Sequence, residues 1–502
     1  MENLFRAYKV ETTGTEILAY LIESTAPDNI DDKLKAQEPP EKTVEDDADK
    51  AIENISTQLH KSSNPTLVIS VHGFNNPRHI VLPGYRKSFM CTNNDTYINN
   101  NDVICIGYRW PSEEMGASRH TIFQAAPLLL IGMFGLGIVL GIFFWESVVF
   151  WTSEDVTIHV LAIFILMISV VLVWIPITLF LLRIVVYFRD GYRATSFGIP
   201  DLVEIIRQIH KKLEEKGEVE NRVQLSFIGH SMGAYVVTSA VRILSDVFDA
   251  ATMREGLNST RVPGSPSNET EVSSKIGRAF RLKRLVLVSP DIPAEALISS
   301  RSNFLSTSLL RCEESFLFSN EGDEVLRQIS TIANYFTFPT ISQKSGYRLG
   351  NVCLPMVRYG ISTKFDLTHL QIGPNRLDKI YKEIKNIGRE QLRIDLPKHF
   401  SYFDCTDCVE NGRGMLTLAE PGVVKKMMPH DHFGLLIRYL IQPRKYDVHG
   451  GYFRSKFLSE LIYRFACIGH DATVQAYNDE YNGEAELDKQ CRQHQIRAML
   501  KN

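Results

Sequence analysis

Apolar and β-branched residues in this chain fall into short runs that end at turn residues, with longer runs of helical spacing between most of them. Phe5 to Val10 and Ile17 to Ile22 predict an opening hairpin turned at Glu11 to Thr15. Further strands are expected at Thr66 to Val71, Val103 to Tyr108, Val223 to Ile228, Leu285 to Val288, Ser315 to Phe318 and Ser401 to Cys405. Helices are expected at Ala48 to Leu59, Ile199 to Leu213, Ala234 to Leu244 and Leu435 to Ile441. Such alternation predicts a mostly parallel sheet covered by helices on both faces, an α/β architecture. At 44% hydrophobic residues the chain has material for one large core.

Two apolar runs exceed this scale. Ala125 to Trp145 holds no charged residue, and Val156 to Leu182 holds only His159 as an ionisable group. Each is longer than the ~20 residues needed to cross a hydrocarbon core, and both lie too far inside the chain for a signal peptide. Gly132, Gly135, Gly137 and Gly141 suit close helix packing in a bilayer. A two-helix transmembrane hairpin is therefore expected at 121–188. It would be inserted between an N-terminal part of the main domain, 1–120, and the remainder, 189–442, with a C-terminal helical extension at 443–502. Arg109, Arg119, Arg183, Arg189 and Arg193 flank the hairpin, while the connection carries Glu146, Glu154 and Asp155 and neither Lys nor Arg. The positive-inside rule then puts the main domain in the cytoplasm of a two-span integral membrane protein.

The chemistry centres on Gly229-His230-Ser231-Met232-Gly233, which joins the strand Val223 to Ile228 to a helix. A G-x-S-x-G turn in that context presents its serine on a strained strand-to-helix elbow, making Ser231 the candidate nucleophile. Upstream, the strand ending at Val71 runs into His72-Gly73-Phe74-Asn75-Asn76-Pro77. Acyl transfer needs two backbone N–H donors for the developing oxyanion, one just after the nucleophile and one from a neighbouring strand end. Met232 and Phe74 are the candidates.

With Val71 to Asn76, the elbow, Tyr108-Arg109-Trp110-Pro111-Ser112 and Ser289-Pro290-Asp291-Ile292, the chain resembles the α/β-hydrolase superfamily. Within it, the likeness is to serine hydrolases whose first core strand ends in H-G-F-N-N. The resemblance implies an acid and then a histidine after the serine. Asp323, following the strand Ser315 to Phe318, stands where the carboxylate is expected, with Glu321 and Asp291 as rivals. His432, past the last strand and before the helix Leu435 to Ile441, stands where the base is expected, with His430 and His399 as rivals.

The remaining features narrow the function without redirecting it. A net charge of −3 and no basic stripe exclude nucleic acid as an expected partner. There is no phosphate loop or dinucleotide fingerprint, so the expectation is no cofactor and no metal. Eight scattered cysteines suit a reducing compartment, and the lone pair Cys405 and Cys408 reads as core packing. Asp28 to Asp49 reads as an acidic surface insertion with partial disorder, followed by the helix at Ala48. The hairpin leaves from the carboxyl end of a strand, where α/β sheets bind ligands, which favours a substrate that partitions into lipid. The expected function is a membrane-anchored serine hydrolase of carboxylic ester or thioester bonds in lipid-like acyl substrates. The alternative is a catalytically silent hydrolase fold serving as a membrane-tethered interaction module.

Overall fold

The strand β4 (Thr66–Val71) is buried along its whole length, and its alternate residues divide between two apolar cores. Leu67, Ile69 and Val71 pack into one core and Val68 into the other. Burial on both faces belongs to the centre of a sheet with helices on each side. This computed structural model describes residues 4–11, 17–26, 39–98, 102–112, 142, 184–217, 221–248, 275–293, 308–309, 311–330, 348–352, 400–423, 427–441 and 447–499.

The other strands are β1 (Phe5–Val10), β2 (Leu18–Ser24), β3 (Thr43–Asp46), β5 (Val103–Arg109), β6 (Val223–His230), β7 (Lys275–Ile276), β8 (Phe280–Val288), β9 (Glu314–Ser319), β10 (Ser401–Asp404), β11 (Val409–Glu410), β12 (Arg413–Gly414) and β13 (Arg497–Met499). Among the described residues they form an 11-stranded sheet in the order β13-β10-β9-β8-β6-β4-β5-β2-β1-β3, with β7 beside β8, and a separate β11–β12 ribbon. From β10 to β2 neighbouring strands run parallel, while β1, β3, β7 and β13 pair antiparallel. The expected mostly parallel α/β sheet is therefore present.

Helices Ala48–Lys61, Ile199–Glu215 and Met232–Phe248 cover one face, and Arg78–Asn93 and Lys456–Cys467 cover the other. The first of these shows how sequence sets the packing. Asp47 caps it by accepting the N–H groups of Asp49 and Lys50, and Ala51, Ile52, Ile55 and Leu59 form its buried stripe.

Chain order sets the position of the site. After β4 the chain adds β5 on one side, then returns to place β6 on the other. The crevice at the carboxyl ends of β4 and β6 is thus a topological switch point, where open α/β sheets bind ligands.

Two sequence expectations change, and a third lies outside the described residues. Thr43–Asp46, inside the acidic stretch, is an edge strand paired with β1; such an edge needs few apolar residues, and Val44 stands exposed on it. Residues 447–499 are not an appendage. Tyr463 reaches Ser70 of β4 at 3.3 Å, Phe465 stacks on Phe316 of β9 at 4.4 Å, and β13 extends the sheet beside β10. The transmembrane hairpin expected at 121–188 lies outside the described residues, apart from Ile142 and the helical residues 184–188. Among the described residues no helix is long and apolar enough to cross a membrane.

Candidate active site

Ser231 is the single residue between β6 and the helix Met232–Phe248, and its φ of +55° puts a side-chain-bearing residue in the left-handed region. That conformation is strained, and surrounding bonds must hold it. The Ser231 N–H donates to Val288 O at 3.0 Å, and its carbonyl accepts the N–H groups of Ala234 and Asp291, each at 3.0 Å. Close packing completes the elbow. A Cβ on Gly233 would lie 2.3 Å from Val71 O and 2.5 Å from His72 O, so only glycine lets the helix start against the end of β4. Ser231 is fully buried, and its Oγ has no hydrogen-bond partner among the described residues.

The loop after β4 presses on this serine. A Cβ on Gly73 would lie 2.6 Å from Ser231 Cβ and 3.1 Å from its Oγ, so the backbone leading into Phe74 passes directly beside the hydroxyl. No described residue accepts the Phe74 N–H, and Met232, opening its helix, has no carbonyl in that helix to bond. The two N–H groups named from the sequence therefore lie on the two segments that flank Ser231. His72 anchors the loop: its Nδ1 bonds Gly73 O at 2.7 Å and its ring stacks on Trp110 with centroids 5.1 Å apart. Burial, followed by the nearby Arg109 charge, pulls the His72 pKa down to about 3.

Asp323 follows β9 and is wholly buried. Its Oδ1 accepts the N–H groups of Val325 and Leu326, each at 3.1 Å, which fixes the carboxylate against the turn it begins. Its Oδ2 accepts Ser289 Oγ at 2.5 Å and the ring nitrogen Nδ1 of His449 at 2.6 Å.

His449 is thus the histidine that meets the expected acid. Its loop is pinned on both sides: Asn320 Nδ2 donates to Val448 O at 2.8 Å, and His230 Nε2 donates to His449 O at 3.0 Å. Burial and then the His449 charge lower the His230 pKa to about 4, so His230 stays neutral and keeps the N–H this bond uses. With Nδ1–H facing Asp323, neutral His449 carries its lone pair on Nε2, a buried atom without a partner among the described residues. Burial alone would lower the pKa of His449, but the charge and hydrogen bond of Asp323 outweigh it and leave it raised. The His449 ring lies 4.8 Å from that of His230, within the elbow, and 6.4 Å from that of Phe74, in the loop after β4.

The expectation that His432 meets Asp323 is corrected. The helix Pro429–Ile441 begins earlier than its apolar spacing indicates, so His432 falls in its first turn. There its Nδ1 donates to Glu324 Oε1 at 2.7 Å, and its Nε2 accepts Arg327 Nη1 at 2.6 Å. His430 stands exposed beside Asp431, and His399 lies outside the described residues. Asp291 pairs with Arg348 at 3.1 Å and accepts Ser330 Oγ at 3.0 Å, and the Glu321 N–H donates to Thr406 Oγ1 at 2.9 Å. The structure therefore brings Asp323 to a histidine, whereas Asp291 is paired with an arginine. His449 escaped the sequence reading because it lies in the segment set aside as an extension. The signal available was its turn, Asp447-Val448-His449-Gly450-Gly451, which follows the last parallel strand.

Cys405 and Cys408 sit at a tight turn, with the Cys408 N–H on Cys405 O at 3.0 Å; both thiols are buried, and burial pushes both pKa values up. Comparison of the chain with protein-family models, curated proteins and solved structures finds no match.

Proposed function

We propose that this chain is a serine hydrolase of the α/β-hydrolase type, cleaving carboxylic ester or thioester bonds in lipid-like acyl substrates by way of an acyl-enzyme. Ser231 Oγ attacks the acyl carbonyl while His449 Nε2 takes its proton. Asp323 holds Nδ1–H and stabilises the imidazolium that forms. The N–H groups of Phe74 and Met232 receive the negative charge on the carbonyl oxygen. Collapse of the tetrahedral adduct passes the proton from His449 to the leaving oxygen or sulfur. Water, deprotonated by the same nitrogen, then attacks the acyl-enzyme and releases the acid.

One observation carries this reading: a buried serine hydroxyl on a strained elbow and a buried imidazole nitrogen, both without hydrogen-bond partners among the described residues, the imidazole's other nitrogen being bound to a buried carboxylate. Buried polar atoms are ordinarily satisfied, and the exceptions concentrate at reactive sites. The aromatic rings of Phe74 beside His449, of Phe453 beside His230 and of Tyr187 behind Phe74 favour an apolar acyl group. Anchoring by two spans within 121–188 is part of the proposal and rests on the sequence alone.

The test is covalent labelling by a fluorophosphonate probe together with hydrolysis of short and long acyl esters. Wild-type protein should label and turn over substrate, and Ser231→Ala should lose both while folding normally. An unlabelled wild type would instead indicate a silent fold acting as a tethered interaction module.

A further inference from the structure

The loop carrying Phe74 is gripped from outside the elbow. The N–H of Asn75, whose φ is +56°, donates to Asp190 Oδ2 at 2.9 Å. The N–H of Asn76 donates to Ser112 Oγ at 3.1 Å, and Ser112 Oγ donates to the same Asp190 Oδ2 at 2.8 Å. The other oxygen, Oδ1, faces cations: Arg189 Nη2 at 2.9 Å and Arg193 Nη1 at 3.7 Å. Asp190 is wholly buried, so one oxygen is neutralised by arginine while the other is committed to the loop. Three residues earlier in the same helical stretch, Tyr187 stands edge-on to Phe74 with centroids 5.5 Å apart.

A buried carboxylate is costly unless its hydrogen bonds and counter-charges are complete. Here they are completed by two consecutive N–H groups, directly and through a hydroxyl, next to the residue assigned to the oxyanion. We infer that Asp190 is a positioning residue for oxyanion stabilisation, holding the backbone after Phe74 so that the Phe74 N–H stays aimed at the reacting carbonyl oxygen. This inference rests on the hydrolase reading proposed above. It also gives residues 184–193, which follow the second long apolar run directly, a part in the chemistry as well as in anchoring.

The test uses the full-length protein in detergent, with turnover expressed per site titrated by fluorophosphonate. The substrates are an ester and its thionoester analogue, in which sulfur replaces the carbonyl oxygen and accepts hydrogen bonds poorly. Asp190→Ala should lower kcat on the ester by about 10- to 100-fold with little change in KM, because a misplaced donor costs transition-state binding alone. The thionoester should lose less, so the ester-to-thionoester ratio should fall. Asp190→Asn, which keeps an acceptor oxygen for the Asn75 N–H, should restore most of the ratio. A merely structural role would change the titrated fraction and leave the ratio alone, and an unchanged ratio would overturn the inference. Should Asp190→Ala fail to fold, Ser112→Ala, which removes the bridge to the Asn76 N–H, must show a lowered ratio for the inference to stand. Absence of Ser231-dependent turnover in the wild type would sink the proposed function itself, a different result from intact turnover with an unchanged ratio.

Discussion

Asp323 and Glu324 are adjacent and both buried, yet each holds a different histidine: Asp323 binds His449 at 2.6 Å and Glu324 binds His432 at 2.7 Å. The chain passes the acid loop twice after the last parallel strand, once at the start of the helix Pro429–Ile441 and again at residues 447–450. Only the second pass brings its histidine beside His230 and Phe74.

This divides the effects of substitution. His449→Ala is expected to lower kcat by about 10⁴-fold, with the His449→Ala/Ser231→Ala pair little worse than either single change, since triad members act as a unit. His432→Ala should leave kcat per titrated site nearly intact. It should lower stability by about 1–3 kcal/mol, because it leaves the buried Glu324 carboxylate with an unmade bond. Steady-state kinetics and thermal melts of the variants separate the two outcomes, and a rate collapse in His432→Ala would reverse the assignment.

The pH profile follows from His449. As the proposed base it must be neutral, and Asp323 raises its pKa above the ordinary 6.5 despite burial. kcat/KM should therefore fall as pH drops through a value above about 6.5, the free-enzyme pKa of the base. Asp323→Asn removes the largest raising influences, leaving Asp447 and Asp291 against burial, so its residual activity should show that limb at lower pH. The sign for stability is opposite. The His449–Asp323 ion pair stabilises the fold fully below about 6.5 and is lost as pH rises through the raised folded value. A limb in the wild type below that of free imidazole would contradict the assignment.

Gly233 tests the elbow without removing a polar side chain. In Gly233→Ala the new methyl would meet the backbone oxygens of Val71 and His72 rather than a side chain able to move. Overpacking of this kind costs about 1–3 kcal/mol, and the titratable fraction should fall with it. Gly434→Ala is the control, since its Cβ would meet nothing within 4 Å. Equal behaviour of the two variants in thermal melts and site titration would argue against a tight elbow.

The proposed anchor is tested by extraction. Detergent, and neither high salt nor carbonate, should release the protein from membranes, because apolar spans are held by burial rather than by charge. A cysteine introduced at Thr152 should react with an impermeant reagent from the non-cytoplasmic side. Release by carbonate would remove the hairpin from the proposal.

The central strands and the elbow were legible because their signals are local. β4 and β6 are short, mostly apolar runs, and the glycine and serine pattern of the elbow occupies five consecutive residues. β8 starts at Phe280 rather than Leu285, because Arg281, Lys283 and Arg284 interrupt its apolar run while its backbone still pairs with β6. Edge strands β3 and β13 were missed, being short and made partly of polar residues that an edge tolerates. Asp323 could be reached by counting strands. The histidine could not, because His430, His432, His449, His470 and His494 all follow β10 and only tertiary packing, through Asn320 and His230, selects among them.

The separation of Ser231 from His449 along the chain also bears on biosynthesis. Domains assemble from the amino end as translation proceeds, so β4, β6 and the elbow emerge long before residues 447–499, which supply the proposed proton acceptor and the last sheet strand. A ribosome-bound chain therefore carries its serine unarmed, and stalled chains ending before Asp447 should take up no fluorophosphonate label. Labelling of such chains would mean that the serine is activated from elsewhere. Reactivity is in this way withheld until nearly all of the described fold has been made.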